Sequence, residues 1–195
     1  MKNVTKSMTE GNPLKLMLQF ALPLFIGNLL QQTYNIIDAA IVGRFLGQDA
    51  LASVGASSSV QFLVLGFCIG ICCGFAVPVA KWFGAKDYDR MRNYIFQAMI
   101  LTVGIAVVLT AVCAILCPQI LHLLSTPEDI YDGAYQYLLV IFLGIPATLL
   151  YNFLAGILRS VGDSKTPFLF LACSTVLNIF LDLLCIIVLH WGCAG

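Results

Sequence analysis

Apolar residues run through this chain in long blocks, separated by short polar or charged punctuation. A membrane-spanning helix needs roughly 20 apolar residues, and five blocks reach that length. They predict spans over residues 13–42, 50–80, 94–117, 130–158 and 167–190. Asn12-Pro13, Thr126-Pro127 and Thr166-Pro167 each place a capping side chain before a proline suited to the first helical position. Glu128 and Asp129 favour the positive end of the fourth helix. Gly43, Gly47 and Gly84 suit helix ends. The first and second spans hold about 30 residues each, more than a bilayer requires, so they tilt, bend or project. Pro23, inside the first, removes a backbone hydrogen bond and marks a kink or hinge. Gly66-x3-Gly70-x3-Gly74 in the second reads as a small-residue seam for a closely packed helix.

Composition agrees with that pattern. Hydrophobic residues make up 60% of the 195 positions and charged residues 10%, against about 25% charged in soluble domains. The expected fold class is therefore an all-α polytopic membrane bundle of about five transmembrane helices, with residues 1–195 forming one membrane domain. Ten Lys and Arg balance ten Asp and Glu, which leaves no basic footprint for a nucleic acid. With the N-terminus in the cytoplasm, nine of the ten Lys and Arg fall on the cytoplasmic side and Arg44 alone falls outside. That asymmetry supports a multi-pass protein of the cytoplasmic membrane. The first apolar run continues to Val42, beyond the roughly 7–15 residues of a signal-peptide core, so it reads as a retained span. The eight cysteines lie almost wholly in apolar runs. They read as small packing residues rather than a disulfide or metal framework. Trp82 and Trp191 suit membrane-interface anchors.

The candidate chemistry lies where polar residues interrupt the apolar blocks. In the first span Asn28, Gln31, Asn35 and Asp38 recur at spacings of three and four, so they share a helix face, with Tyr34 at its border. In the fifth, Ser174, Asn178 and Asp182 are four apart among Leu, Ile and Phe. Intramembrane carboxylates face bundle interiors or water-filled cavities and mark ion or proton paths. Desolvation and a second carboxylate nearby both favour the protonated form, so a pair can hold a proton near neutral pH and release it when a cation arrives. With the amide and hydroxyl oxygens of Asn178, Asn35 and Tyr34, the cluster can instead coordinate sodium, at Asp38, Asn178 and Asp182. The coupling ion is thus H+ or Na+, with no other cofactor or metal. His122 and His190 stand at helix ends, apart from the carboxylates, and no Ser-His-Asp constellation shares their depth, so an enzyme is not expected.

Three segments, PLFIGNLLQQTYNIIDAAIVGRFLG, GILRSVGDSKTP and NIFLD, together resemble the amino-terminal half of the multidrug and toxic compound extrusion (MATE) transporters. The resemblance implies twelve helices in two six-helix bundles that rock between outward- and inward-open states. It implies export of cationic and amphipathic compounds by antiport with protons or sodium. By the same resemblance, the essential first-helix aspartate falls on Asp38, its tyrosine partner on Tyr34, the fifth-helix pair on Asn178 and Asp182, and the bending proline on Pro23. HWGCAG at the end of the chain reads as the loop to a sixth helix. The expected partners are small cationic or amphipathic substrates, membrane lipid, and a second bundle from the same full-length chain or another chain. Two alternatives stand beside this reading. One is a flippase for lipid-linked oligosaccharides, whose cavity would carry several basic residues for a pyrophosphate. No Lys or Arg occupies the interior of a predicted span here. The other is a non-functional truncated fragment.

Overall fold

The computed structural model describes residues 12–45, 47–124 and 126–184. They form α1 (Pro13–Phe45), α2 (Gln48–Gly84), α3 (Tyr88–Leu123), α4 (Glu128–Leu143), α5 (Ile145–Ser160) and α6 (Lys165–Leu183). Helices α1, α2 and α3 are each long and apolar enough to cross a membrane, and α4 with α5 make a fourth, bent crossing. The fifth predicted span begins within α6; its residues 185–190 lie outside the described residues, as do Trp191 and the HWGCAG segment.

The ends of the helices depart from expectation in instructive ways. Asn12 caps α1 as expected, its Oδ1 accepting from the Leu14 N–H at 3.1 Å. α3 starts six residues before the predicted span, because Asp87 caps it: Oδ1 accepts from the Arg90 N–H at 3.1 Å and Oδ2 lies 3.2 Å from Arg90 Nε. A cap holds a polar first turn in helix where apolarity gives no signal. Thr126 does not cap α4. The helix begins at Glu128 behind Pro127, and the buried Thr126 hydroxyl has no partner among the described residues. Thr166 does not cap α6 either. Asp163 does, accepting from Lys165 N at 3.1 Å and Thr166 N at 3.0 Å, so α6 starts ahead of Pro167. Gly162 (φ 84°) turns the chain just before it. Gly43 lies inside α1 rather than at its end, and Gly47 (φ 90°) makes the α1–α2 link.

The predicted span 130–158 is broken. α4 and α5 meet at Gly144 with a bend of 43°. Pro146, in the first turn of α5, has no N–H for the carbonyl four residues back, so the ladder cannot run through. The Gly144 N–H still closes the last turn of α4, to the Val140 and Ile141 carbonyls at 3.0 Å.

α2 is the central helix and touches α1, α3, α4 and α5. Its buried face runs through Ser53, Ser57, Val64, Cys68, Cys72 and Val79, a spacing of three and four. Opposite it lie Leu121 of α3, Leu138 and Phe142 of α4, and Ile145 and Leu149 of α5, all fully buried. Cys113 and Cys117 pack there too, while Cys73 and Cys173 are exposed. Gly66, Gly70 and Gly74 do not form the expected seam. They lie on the exposed side of α2, and an added Cβ would meet nothing within 4 Å. The close approaches are made elsewhere, at Gly27, Gly133 and Gly156.

Lipid is as apolar as a leucine side chain, so close packing and hydrogen bonds hold such helices together. Ser53 Oγ donates to the Ile130 carbonyl at 3.2 Å, Tyr137 OH to Gln61 Oε1 at 3.2 Å, and Ser160 Oγ to the Ala76 carbonyl at 2.8 Å. A Cβ on Gly133 would stand 2.9 Å from Ser53 Oγ, too close for both to stay. Gly133→Ala is therefore expected to destabilise the bundle by about 1 kcal/mol through loss of the Ser53 bond. In a Ser53→Ala background the same change should cost markedly less. Unfolding of the four proteins in detergent checks this coupling.

Candidate functional site

The site is built on α1 and α6, which pack against each other. Gly27 is the buried point of contact: a Cβ there would lie 3.4 Å from Leu171 Cδ2 and 3.6 Å from Phe168 Cδ2. The half-buried positions of α1, among them Pro23, Leu30, Tyr34, Ile37, Asp38 and Ile41, recur at helical spacing and continue that contact face. Tyr34 and Asp38 are thus set on the side of α1 that faces the bundle. Asn28, Gln31 and Asn35 are exposed, and Asn35 Nδ2 donates to Gln32 Oε1 at 3.1 Å. The predicted polar stripe is split along its length. Its Tyr34–Asp38 edge turns inward and its Asn28–Gln31–Asn35 edge outward.

On α6, Ser174 Oγ and Asn178 Oδ1 are hydrogen-bonded at 3.4 Å, and both residues are exposed. Asp182 follows one turn later, within the last turn of α6. The depth of these groups follows from the fold. Helices α1, α3 and α6 run in one direction, with the bent α4–α5 pair counted as one return. Asp38 is eleven residues beyond Gly27, and Asp182 is eleven beyond Leu171. At 1.5 Å per residue, each lies about 17 Å along its helix from the shared contact. Asn178 and Tyr34 lie between the contact and the carboxylates. The two acidic positions therefore occupy one level of neighbouring helices.

Asp38 makes no ion pair with Arg44 among the described residues. Six residues place the two about 120° apart around the helix. Two carboxylate positions at one level, beside Tyr34 and Asn178, suit a proton or a hard cation such as sodium.

Three features escaped the sequence reading. Gly27 is a single glycine in an apolar run, and only its contact shows its use. Gln61 and Tyr137 pair across α2 and α4; the signal was Ser53-x3-Ser57-x3-Gln61, a polar face in an apolar block. Asp163 was read as part of a turn, and it is buried as the cap of α6.

The bundle, with its broken fourth crossing and its carboxylate on an apolar helix, defines a polytopic helical membrane protein. Residues 23–184 match the family model MatE, and the chain belongs to that family. It is 36% identical over 187 residues to the probable multidrug resistance protein YpnP of Bacillus subtilis (strain 168), covering 96% of this chain and 42% of YpnP. It superposes with a TM-score of 0.89 on a MOP superfamily transporter from Pyrococcus furiosus, at 27% identity, over 100% of this chain and 42% of that one. The outward-facing conformation of a multidrug resistance MATE family transporter gives a TM-score of 0.89 at 26% identity, over 100% of this chain and 43% of that one. The chain thus spans about two-fifths of the length of the relatives it matches.

Pro23 sits inside α1, one turn before the Gly27 contact. Proline in a helix interior costs about 3 kcal/mol relative to alanine. Pro23→Ala should slow amide hydrogen exchange around residues 19–27 by tenfold or more, about the effect of adding half that energy to local stability. Unchanged exchange would show that α1 gains no rigidity there.

Proposed function

We propose that this chain forms one lobe of an ion-coupled exporter of cationic or amphipathic compounds across the cytoplasmic membrane. Asp38 and Asp182 bind the coupling ion, H+ or Na+. Asn178 and Tyr34 assist, and Asn28, Gln31, Asn35 and Ser174 line the polar path beside them. A second bundle, in the same full-length chain or another, closes the substrate cleft. The N-terminus lies in the cytoplasm. The observation that carries this reading is the packing of α1 on α6, with both acidic positions eleven residues beyond the residues in contact. Relatives named as multidrug resistance proteins support the substrate class.

The flippase alternative needs a basic cavity. Among the described residues, Lys and Arg occur only in links or in the first two or last turns of helices, so no cationic patch lies at mid-depth for a pyrophosphate.

Ion and substrate exchange through differential affinity for two states of α1. Asp38→Asn and Asp182→Asn, each in a full-length exporter carrying this lobe, should lower uphill efflux about tenfold or more while membrane insertion stays normal. Efflux of a fluorescent organic cation from vesicles, driven by an imposed proton or sodium gradient, reads the effect. Full efflux in either variant would remove that carboxylate from the coupling role.

A further inference from the structure

A shallow groove of about 240 Å³ runs between α2 and α5. Cys73, Ala76, Val77 and Ala80 form one wall, and Gly156, Arg159 and Ser160 the other. The groove exists because these side chains are small. Gly156 brings α5 close to α2, so that an added Cβ would lie 3.5 Å from Ala76 Cβ, and the Ser160 hydroxyl is tied down to the Ala76 and Gly156 carbonyls at 2.8 Å. Its outer rim is open, with Val77 68% exposed.

One charge stands in this apolar channel. Arg159 is half-buried, and its Nε donates to the Ala155 carbonyl at 3.1 Å. That bond fixes the guanidinium while its remaining N–H groups have no partner among the described residues. The carboxylate nearest in sequence, Asp163, is buried and occupied by the start of α6. The surroundings reinforce the sign. Seven of the eight described Lys and Arg, all but Arg44, lie at the end of the bundle that holds the α2–α3 and α5–α6 turns. Lys81 follows Ala80 directly, and Lys81 and Arg90 flank the Trp82 ring at 5.2 and 5.0 Å.

An apolar channel between spans that ends on an unpaired guanidinium, within a basic rim, has the chemistry of a lipid and the charge complement of an anion. We propose that this groove binds an anionic phospholipid. The phosphate sits on Arg159, the rest of the headgroup lies over Ala80 with Lys81 at the rim, and one acyl chain runs inward past Ala76 and Cys73. The site is independent of the carboxylates on α1 and α6 and does not rest on the exporter reading.

Native mass spectrometry of the full chain in detergent tests it, with phosphatidylglycerol and phosphatidylcholine of the same acyl length as probes. Phosphatidylglycerol is expected to be retained preferentially. Arg159→Gln should reduce that retention about fivefold, Arg159→Lys should restore most of it, and Arg92→Gln, on the same end but outside the groove, should leave it unchanged. Ala80→Phe places a ring in the groove from an exposed position of α2, away from the Ala76–Gly156 approach, so it should also lower retention. It carries the test if Arg159→Gln fails to fold. Equal retention of both lipids, or retention unaffected by Ala80→Phe, overturns the proposal. Displacement by glycerol phosphate at equal concentration also overturns it, since the channel would then contribute nothing and the ligand would be a soluble anion.

Discussion

The arrangement of the candidate site depends on one contact between helices. Gly27 lets α1 lie against Leu171 and Phe168 of α6, and that approach brings the two acidic levels together. In water, apolar surface would draw the helices together unaided. In a membrane the lipid competes on equal terms, and only close packing or a hydrogen bond distinguishes helix from solvent. A Cβ at position 27 would already be in van der Waals contact with Leu171 and Phe168, at 3.4 and 3.6 Å, so any larger side chain would press on α6. The tightest approach is at Gly133, where a Cβ would lie 2.9 Å from Ser53 Oγ, while at Gly156 it would meet Ala76 Cβ at 3.5 Å in ordinary contact.

Around these contacts the bundle satisfies its polar groups locally. Ser57 and Thr102 return their hydroxyls to carbonyls one turn back, at 2.8 and 2.7 Å, so their burial leaves no open donor. Among the described residues, bonds between crossings are specific and include Ser53 to Ile130, Tyr137 to Gln61, Cys72 to Leu149 and Ser160 to Ala76. Each joins α2 to the bent crossing of α4 and α5. The break at Gly144 belongs to the same design. Bending the crossing by 43° lets its two halves follow α2, which a straight helix of that length would leave at one end.

Apolar block length made α1, α2, α3 and the bent α4–α5 pair legible, because burial in lipid demands it and little else produces it. Helix ends were less legible. Thr166-Pro167 obeyed the local rule yet Thr166 failed as a cap, since Asp163 took the N–H groups of Lys165 and Thr166. A carboxylate accepts more strongly than a hydroxyl. The glycine seam on α2 failed for a different reason. Spacing shows that Gly66, Gly70 and Gly74 share a face but not which way it points, and the helix turned its Ser–Val–Cys face inward. The polar stripe of α1 met the same ambiguity. Periodicity grouped Asn28, Gln31, Asn35 and Asp38, and the contact at Gly27 then divided them.

That contact also limits how the proposed coupling can work. Pro23 lies one turn before Gly27, and Asp38 three turns beyond it. A bend at Pro23 that keeps Gly27 against Leu171 moves only the first ten residues of α1. Asp38 would then see the same neighbours on α6 in both states, and an ion bound there would favour neither. A ligand shifts an equilibrium only by its difference in affinity for the two states. An ion held between α1 and α6 therefore drives a bend only if that bend loosens the Gly27 contact and changes the surroundings of Asp38. In the proposed exporter, the packing that assembles the site must also be the packing that yields.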